Sequence, residues 1–278
     1  MRLIFLAALA VATPATAQST TDDVDVGGNR ITVGIGPAVV PSYIGSNNSV
    51  VIPGVAVQGQ LWGHSFGTAG TEFSVDAIRG DGKPGWKLEA GPSINVRLDR
   101  TALIRDVQVS ALGKLKTAWE PGAWIGIQRT GVVTSPYDSV SLSVAYQQDV
   151  SGAYGGGYWE PAVSYSTPLS HHDYVSLSAD ADYVGRKFGR YYYDISAAGS
   201  AKSGLAGYDL AGASSGWKDW EVGVLGEHML SSDLTHGLGL VGGVNYTRLL
   251  GRYAASPIVK DAGSPRQWAY TLGVAYTF

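Results

Sequence analysis

The chain has 278 residues, 45% hydrophobic and only 15% charged, with 38 glycines and a net charge of −3, whereas an ordinary soluble domain carries roughly 25% charged residues and roughly 7% glycine. With 20 basic residues against 23 acidic and no basic block, the chain has no electrostatic footprint for a nucleic-acid partner. A mean hydropathy of +0.02 excludes intrinsic disorder, and the absence of cysteine excludes a disulfide scaffold, a thiolate metal site and a cysteine nucleophile.

The chain opens with the features of an export signal. Met1-Arg2 is a minimal basic start, Leu3 to Val11 is apolar, and Ala15-Thr16-Ala17 is a small-x-small cleavage site. The apolar run is too short for a membrane anchor and ends at Pro14. Residues 1–17 are therefore expected to be a cleaved signal peptide, 18–29 a short polar lead, and 30–278 a single domain in a Gram-negative envelope.

From Ile31 to Thr71 there is no Asp, Glu, Lys or Arg, but Pro37, Pro41, Pro53 and eight glycines exclude a membrane helix. What recurs instead is a period of two. Trp86, Leu88, Ala90, Pro92, Ile94, Val96 and Leu98 alternate with Lys87, Glu89, Gly91, Ser93, Asn95, Arg97 and Asp99, so every charge lies on one face. The pattern returns at Val140–Tyr146 and Val175–Tyr183. Strands of about ten residues suit a closed transmembrane barrel, although alternation also fits a soluble sandwich. The C-terminus favours the barrel: Tyr270, Leu272, Val274, Tyr276 and Phe278 share one face opposite small residues. Tyr276 and Phe278 resemble an outer-membrane assembly signal, which implies the barrel-assembly machinery and outer-membrane lipid as partners.

Strand candidates lie near residues 30–40, 49–61, 65–77, 86–99, 120–129, 138–149, 158–167, 173–185, 217–229, 237–250 and 266–278. Bacterial barrels have an even strand count with both termini on the periplasmic side. Residues 105–115, with Val107, Val109, Ala111 and Leu115 in alternation, are therefore taken as a twelfth strand. The expectation is an all-β, antiparallel transmembrane barrel of twelve strands, with ten as the fallback. Residues 189–216 and 252–265 are long outside loops; 168–173 and 231–236 are short inside turns.

Several segments resemble the MltA-interacting, or MipA/OmpV, outer-membrane family. They are Tyr43-Ile44-Gly45-Ser46, Tyr183, Tyr191-Tyr192-Tyr193, Ser203-Gly204-Leu205 with Tyr208, and Tyr246-Thr247-Arg248-Leu249. Further on come Ser256-Pro257-Ile258-Val259, Gly263-Ser264 and the closing Tyr276-Thr277-Phe278. Two positions depart from the family pattern: Ile44 where an acidic residue is usual, and Asp194-Ile195 where an aromatic-Gly-Val is usual. The resemblance implies a non-enzymatic outer-membrane protein, a scaffold linked to a murein hydrolase and a murein synthase.

Sites of chemistry are sparse. Gly237-x-Gly239-x-x-Gly242 lies inside a strand and lacks the helix that a dinucleotide site needs. No G-x-S-x-G occurs for a serine hydrolase, and His171-His172 lacks a third metal ligand. The expectation is no catalytic, cofactor or metal residue. The informative set is the inner-face charge: Lys87, Glu89, Arg97, Asp99, Glu160, Asp180, Asp182, Glu221 and Glu227. If water fills the interior, this set favours cations and a small passive pore becomes the alternative function. If the charges pair with one another, the barrel is plugged.

Overall fold

Period-two segments with one apolar face pair edge to edge, and in lipid the only way to leave no unpaired edge is closure. The computed structural model describes residues 28–80, 84–210, 215–231 and 233–278. The expected signal peptide, residues 1–17, lies outside the described residues. Twelve strands among the described residues form one closed antiparallel barrel in which each strand pairs with its sequence neighbours and β1 pairs with β12. They are β1 (Arg30–Pro41), β2 (Ser49–Leu61), β3 (His64–Ala69), β4 (Glu72–Val75), β5 (Gly85–Arg97) and β6 (Ala118–Thr130). The circuit continues with β7 (Ser139–Gln148), β8 (Gly157–Pro168), β9 (Asp173–Val184), β10 (Gly216–Met229), β11 (Gly237–Leu249) and β12 (Arg266–Thr277).

The count of twelve matches the expectation, but two assignments are corrected. The segment 65–77 is not one strand: Gly70, at φ +57°, turns the chain and makes the hairpin β3–β4. The segment 105–115 is not a strand either. Asp106 accepts a hydrogen bond from the Val109 amide at 2.9 Å and caps a short helix, α1 (Val107–Ala111), which buries Val109 and leaves Val107 exposed. A strand would place Val107 and Val109 on one face, whereas a helix turns them about 200° apart, and the side-chain cap decides in favour of the helix.

The apolar face of the alternation points outward, which distinguishes this barrel from a sandwich. Val51, Ile35, Val55 and Leu272 are each at least 60% exposed, while Glu89, Ser93 and Asn95 from the opposite face of β5 are buried. Trp119, Trp159, Trp217 and Trp268 ring one end of this apolar band; Trp62, Trp86, Tyr276 and Phe278 ring the other. An apolar belt between two aromatic girdles is the surface of an outer-membrane β-barrel. Both chain ends of the barrel and the short turns share one end, here the turn end. The connections after β5, β9 and β11 crowd the opposite, loop end.

Closure depends on a glycine. A Cβ on Gly36 of β1 would stand 2.1 Å from the Leu272 carbonyl oxygen and 2.5 Å from Gly273 Cα, both backbone atoms of β12. Backbone cannot yield as a side chain can. Gly36→Val is expected to leave no heat-modifiable folded form on a cold gel, whereas Gly34→Ala, whose Cβ meets nothing closer than 3.8 Å, folds.

Candidate functional site

The loop end is closed by a cap. In α2 (Arg186–Tyr193), Phe188, Gly189, Tyr192 and Tyr193 are buried while Arg186, Lys187 and Arg190 are exposed, so the helix lays one face into the barrel mouth. Phe188 packs on Tyr192 with ring centroids 4.6 Å apart and receives Tyr154 edge-on at 5.1 Å. Tyr193 meets Tyr253 of α4 (Gly251–Ala255) edge-on at 5.3 Å, and Val184, Leu249 and Val259 complete the cluster. Burial pushes the Tyr192 and Tyr193 phenols up, so both stay neutral in the plug. Next to α2, Ser196 caps α3 (Ala197–Ser203) by accepting from the Gly199 amide, and Gly204 ends it at φ +74°. Gln108 of α1 reaches the Ser203 carbonyl at 3.3 Å, which ties the β5–β6 connection to the plug.

Two distant loops lock the rim of this cap. The Tyr43 hydroxyl donates to the Ala262 carbonyl at 3.1 Å, the Ser264 amide donates to the Gly45 carbonyl at 2.8 Å, and Gln267 bridges the Gly45 amide and the Ser46 carbonyl. Gly45 sits at φ +100°, and a Cβ on Gly263 would be 1.8 Å from its carbonyl oxygen. Bulkier residues fit neither position. The Ser256 hydroxyl donates to the Tyr193 carbonyl at 2.8 Å, and the Tyr208 hydroxyl to the Arg252 carbonyl at 2.6 Å. Most of the short segments that carry the family resemblance, scattered over the chain, thus meet in this one cap.

Beneath the plug lies a layer of buried charge. Glu120, fully buried, accepts from Arg97 Nε at 2.9 Å, Asn95 Nδ2 at 2.8 Å and the Tyr154 hydroxyl at 2.8 Å. The Arg97 guanidinium also lies 4.9 Å from the ring centroids of both Tyr158 and Phe188. Across the lumen, Lys218 Nζ pairs with Asp182 at 2.6 Å and Asp219 at 3.1 Å. Tyr158 hydrogen-bonds Gln147, which donates to Ser93 at 3.3 Å and extends the layer from β8 through β7 to β5. Charges at this depth persist because each is paired.

The structure places all but one of the expected inner-face set on strands and the remaining one just beyond a strand end. Lys87, Glu89, Arg97, Glu160, Asp180, Asp182, Glu221 and Glu227 all come from the inward face of their strands. Asp99 does not: it lies past the end of β5, where its carboxylate accepts from the Ile44 amide at 2.9 Å and ties the first loop into the cap. Burial raises the Asp99 pKa against the pull of that amide. Asp180 and Asp182 share a strand face, and Asp182 is engaged with Lys218. Lower down, Lys87 pairs with Asp76 and lies 3.6 Å from Glu89, while Asn245 of β11 donates to Glu221 at 2.9 Å.

Sequence reasoning missed Glu120, Asp76, Lys218 and Asp219. Glu120 was legible, since it alternates with outward Trp119 and Pro121. Lys218 was not, because a register shift between Trp217 and Asp219 turns two successive residues inward where strict alternation permits one. The histidines gather at the turn end: His228 lies 2.7 Å from Asp173, and the β8–β9 turn bearing His171 and His172 hydrogen-bonds the β10–β11 turn. Among the described residues no group of three side chains is arranged to hold a metal.

The model of the family described as MltA-interacting protein MipA matches residues 33–278. No curated protein matches the chain. Among solved structures, the NanC porin aligns at 8% identity and a TM-score of 0.41, over 90% of this chain and 99% of the porin. An outer-membrane channel from Pseudomonas putida F1 aligns at 11% identity and a TM-score of 0.42, over 90% and 96%. The anion-selective porin from Comamonas acidovorans aligns at 12% and 0.35, over 88% of this chain and 74% of that one.

Proposed function

The chain belongs to the MltA-interacting protein family, and from that premise we propose that it is a plugged, non-enzymatic outer-membrane scaffold that holds a murein hydrolase of the MltA kind at the membrane. The observation that carries this reading is the filled mouth: α2 and its aromatic cluster stand directly on the Arg97–Glu120 and Lys218–Asp182–Asp219 pairs. A barrel closed in this way has no need of a conduit and offers rigid rims. With both termini on the periplasmic side, the turn end faces the murein and the cap faces outward. Export by residues 1–17, with cleavage after Ala17, belongs to the same proposal.

The turn-end rim is built for rigidity. In the β6–β7 turn, Asp138 accepts from the Val132, Val133 and Thr134 amides at 2.6–2.8 Å. Burial acts to raise its pKa, but these bonds outweigh that effect and hold the carboxyl well below the usual range, so the turn stays charged and ordered throughout the physiological range. A passive cation pore draws support only from the acidic lower lumen, and the plug lies across that path.

Two measurements test the proposal together. Refolded protein in planar bilayers is expected to be electrically silent, and immobilised protein is expected to retain a purified MltA-type lytic transglycosylase. Steady conductance steps, or no retention of the transglycosylase by folded barrel, would count against it.

A further inference from the structure

The cap also carries an open groove of about 330 Å³ between α2 and the β7–β8 loop, lined by Ala153, Tyr154, Lys187, Arg190, Tyr191 and Asp194. Its chemistry is cationic on an aromatic floor. Lys187 and Arg190 are exposed; among the described residues Lys187 Nζ donates to the Gly155 carbonyl at 3.0 Å, and Arg190 makes a long 3.6 Å contact to Asp194. The backbone amide of exposed Lys116 donates to the Tyr191 hydroxyl at 2.9 Å. The nearby carboxylates are already engaged: Asp149 accepts from the Ser151, Tyr154 and Gly155 amides, and Asp194 from the Leu210 amide. The Tyr154 and Tyr191 rings, with centroids 6.4 Å apart, form the floor.

Position supplies the second argument. The same β7–β8 hairpin that forms one wall of the groove carries the packed girdle pair Tyr146 and Trp159, whose exposed faces look into lipid. Below them Leu142 and Val163 continue the lipid-facing surface. An acyl chain lying on this surface places its headgroup at Lys187 and Arg190. We propose that this groove binds the phosphorylated saccharide headgroup of an outer-leaflet glycolipid, with the cations taking phosphate and the partly exposed Tyr191 ring packing on sugar. The inference rests on the cap facing outward, as in the proposed function.

The test uses the full mature barrel in detergent, with bisphosphorylated lipid A and its dephosphorylated form as probes and native mass spectrometry as the readout. Wild type is expected to prefer the phosphorylated lipid by about tenfold or more, and the Lys187→Ala/Arg190→Ala double variant to lose that preference. Both residues are exposed, so the variant is expected to keep the wild-type unfolding transition; Lys187→Gln/Arg190→Gln serves if it does not. Equal binding of the two lipids, or an undiminished preference in the variant, overturns the proposal. Complete displacement by millimolar inorganic pyrophosphate overturns the glycolipid assignment in favour of a bare phosphate site. Orientation is read separately. The chain has no cysteine, so Ala198→Cys, exposed on α3, reports it by labelling with an impermeant maleimide on intact cells. Failure to label refutes the outward cap, whereas labelling without lipid preference refutes only the groove.

Discussion

Excising residues 186–214 and joining Gly185 to Ser215 through a short glycine-serine turn is expected to convert a silent barrel into a conducting one. Val184 and Gly216 are register partners, so a hairpin turn spans them without pulling on β9 or β10. The deletion removes Phe188, Tyr192 and Tyr193, which cover the Arg97 and Lys218 layer and exclude water from it. Once hydrated, the paired charges lose the low-dielectric setting that holds them in fixed contacts. The lumen that opens is lined by Glu89, Glu120, Glu160, Asp180, Asp182, Asp219, Glu221 and Glu227 against Lys87, Arg97 and Lys218. Its current is therefore expected to favour cations and to lose that preference as the carboxylates protonate in acid. Single-channel recording with a salt gradient checks this directly. A deletion variant that is folded but still silent would assign closure to the charged layer alone.

Among truncations of a buried side chain, Glu120→Ala is expected to produce the largest loss of stability. It leaves the Arg97 guanidinium buried without its carboxylate and strips an acceptor from Asn95 and from the Tyr154 hydroxyl. Breaking one side of a buried ion pair costs about 3–5 kcal/mol. Urea unfolding of the barrel in lipid vesicles measures the loss. Glu120→Gln, which keeps the volume and part of the hydrogen bonding, is expected to lose less. Arg97→Met with Glu120→Met is expected to recover most of it, because the double change removes both desolvated charges. A double variant as unstable as Glu120→Ala would mean that the layer contributes through its wider hydrogen-bond network and not through the ion pair.

Both expectations depend on contacts whose legibility in the sequence was uneven. Strand positions and facing could be read directly: β5 shows its charges on one side from Lys87 to Arg97, and all of them face the lumen. The terminal aromatic strand was legible in the same way, since Tyr276 and Phe278 lie on the lipid face. Where the reading failed, a local contact overrode the pattern. Asp106 nucleates a helix in a segment whose alternation suited a strand, Gly70 divides a segment that read as continuous, and a bulge turns Lys218 inward. Asp99 continues the alternation of β5 beyond the end of the ladder, where a loop amide holds it within the field of the lumen cations Arg97 and Lys218.

The amino-acid sequence by itself determined the barrel and its inside and outside, because a strand has a fixed period of two and lipid tolerates no unpaired edge; the count of twelve agreed only because the division of 65–77 offset the strand wrongly assigned to 105–115. Whether that barrel is open or filled was decided only by tertiary structure. The plug depends on meetings between residues far apart in the chain: Tyr43 with Ala262, Gly45 with Ser264, Phe188 with Arg97, and Ser256 with Tyr193. No periodicity encodes such pairs. They exist because closing the β1–β12 seam brings the first and last loops to one rim, and the amphipathic face of α2 then has one apolar surface on which to settle.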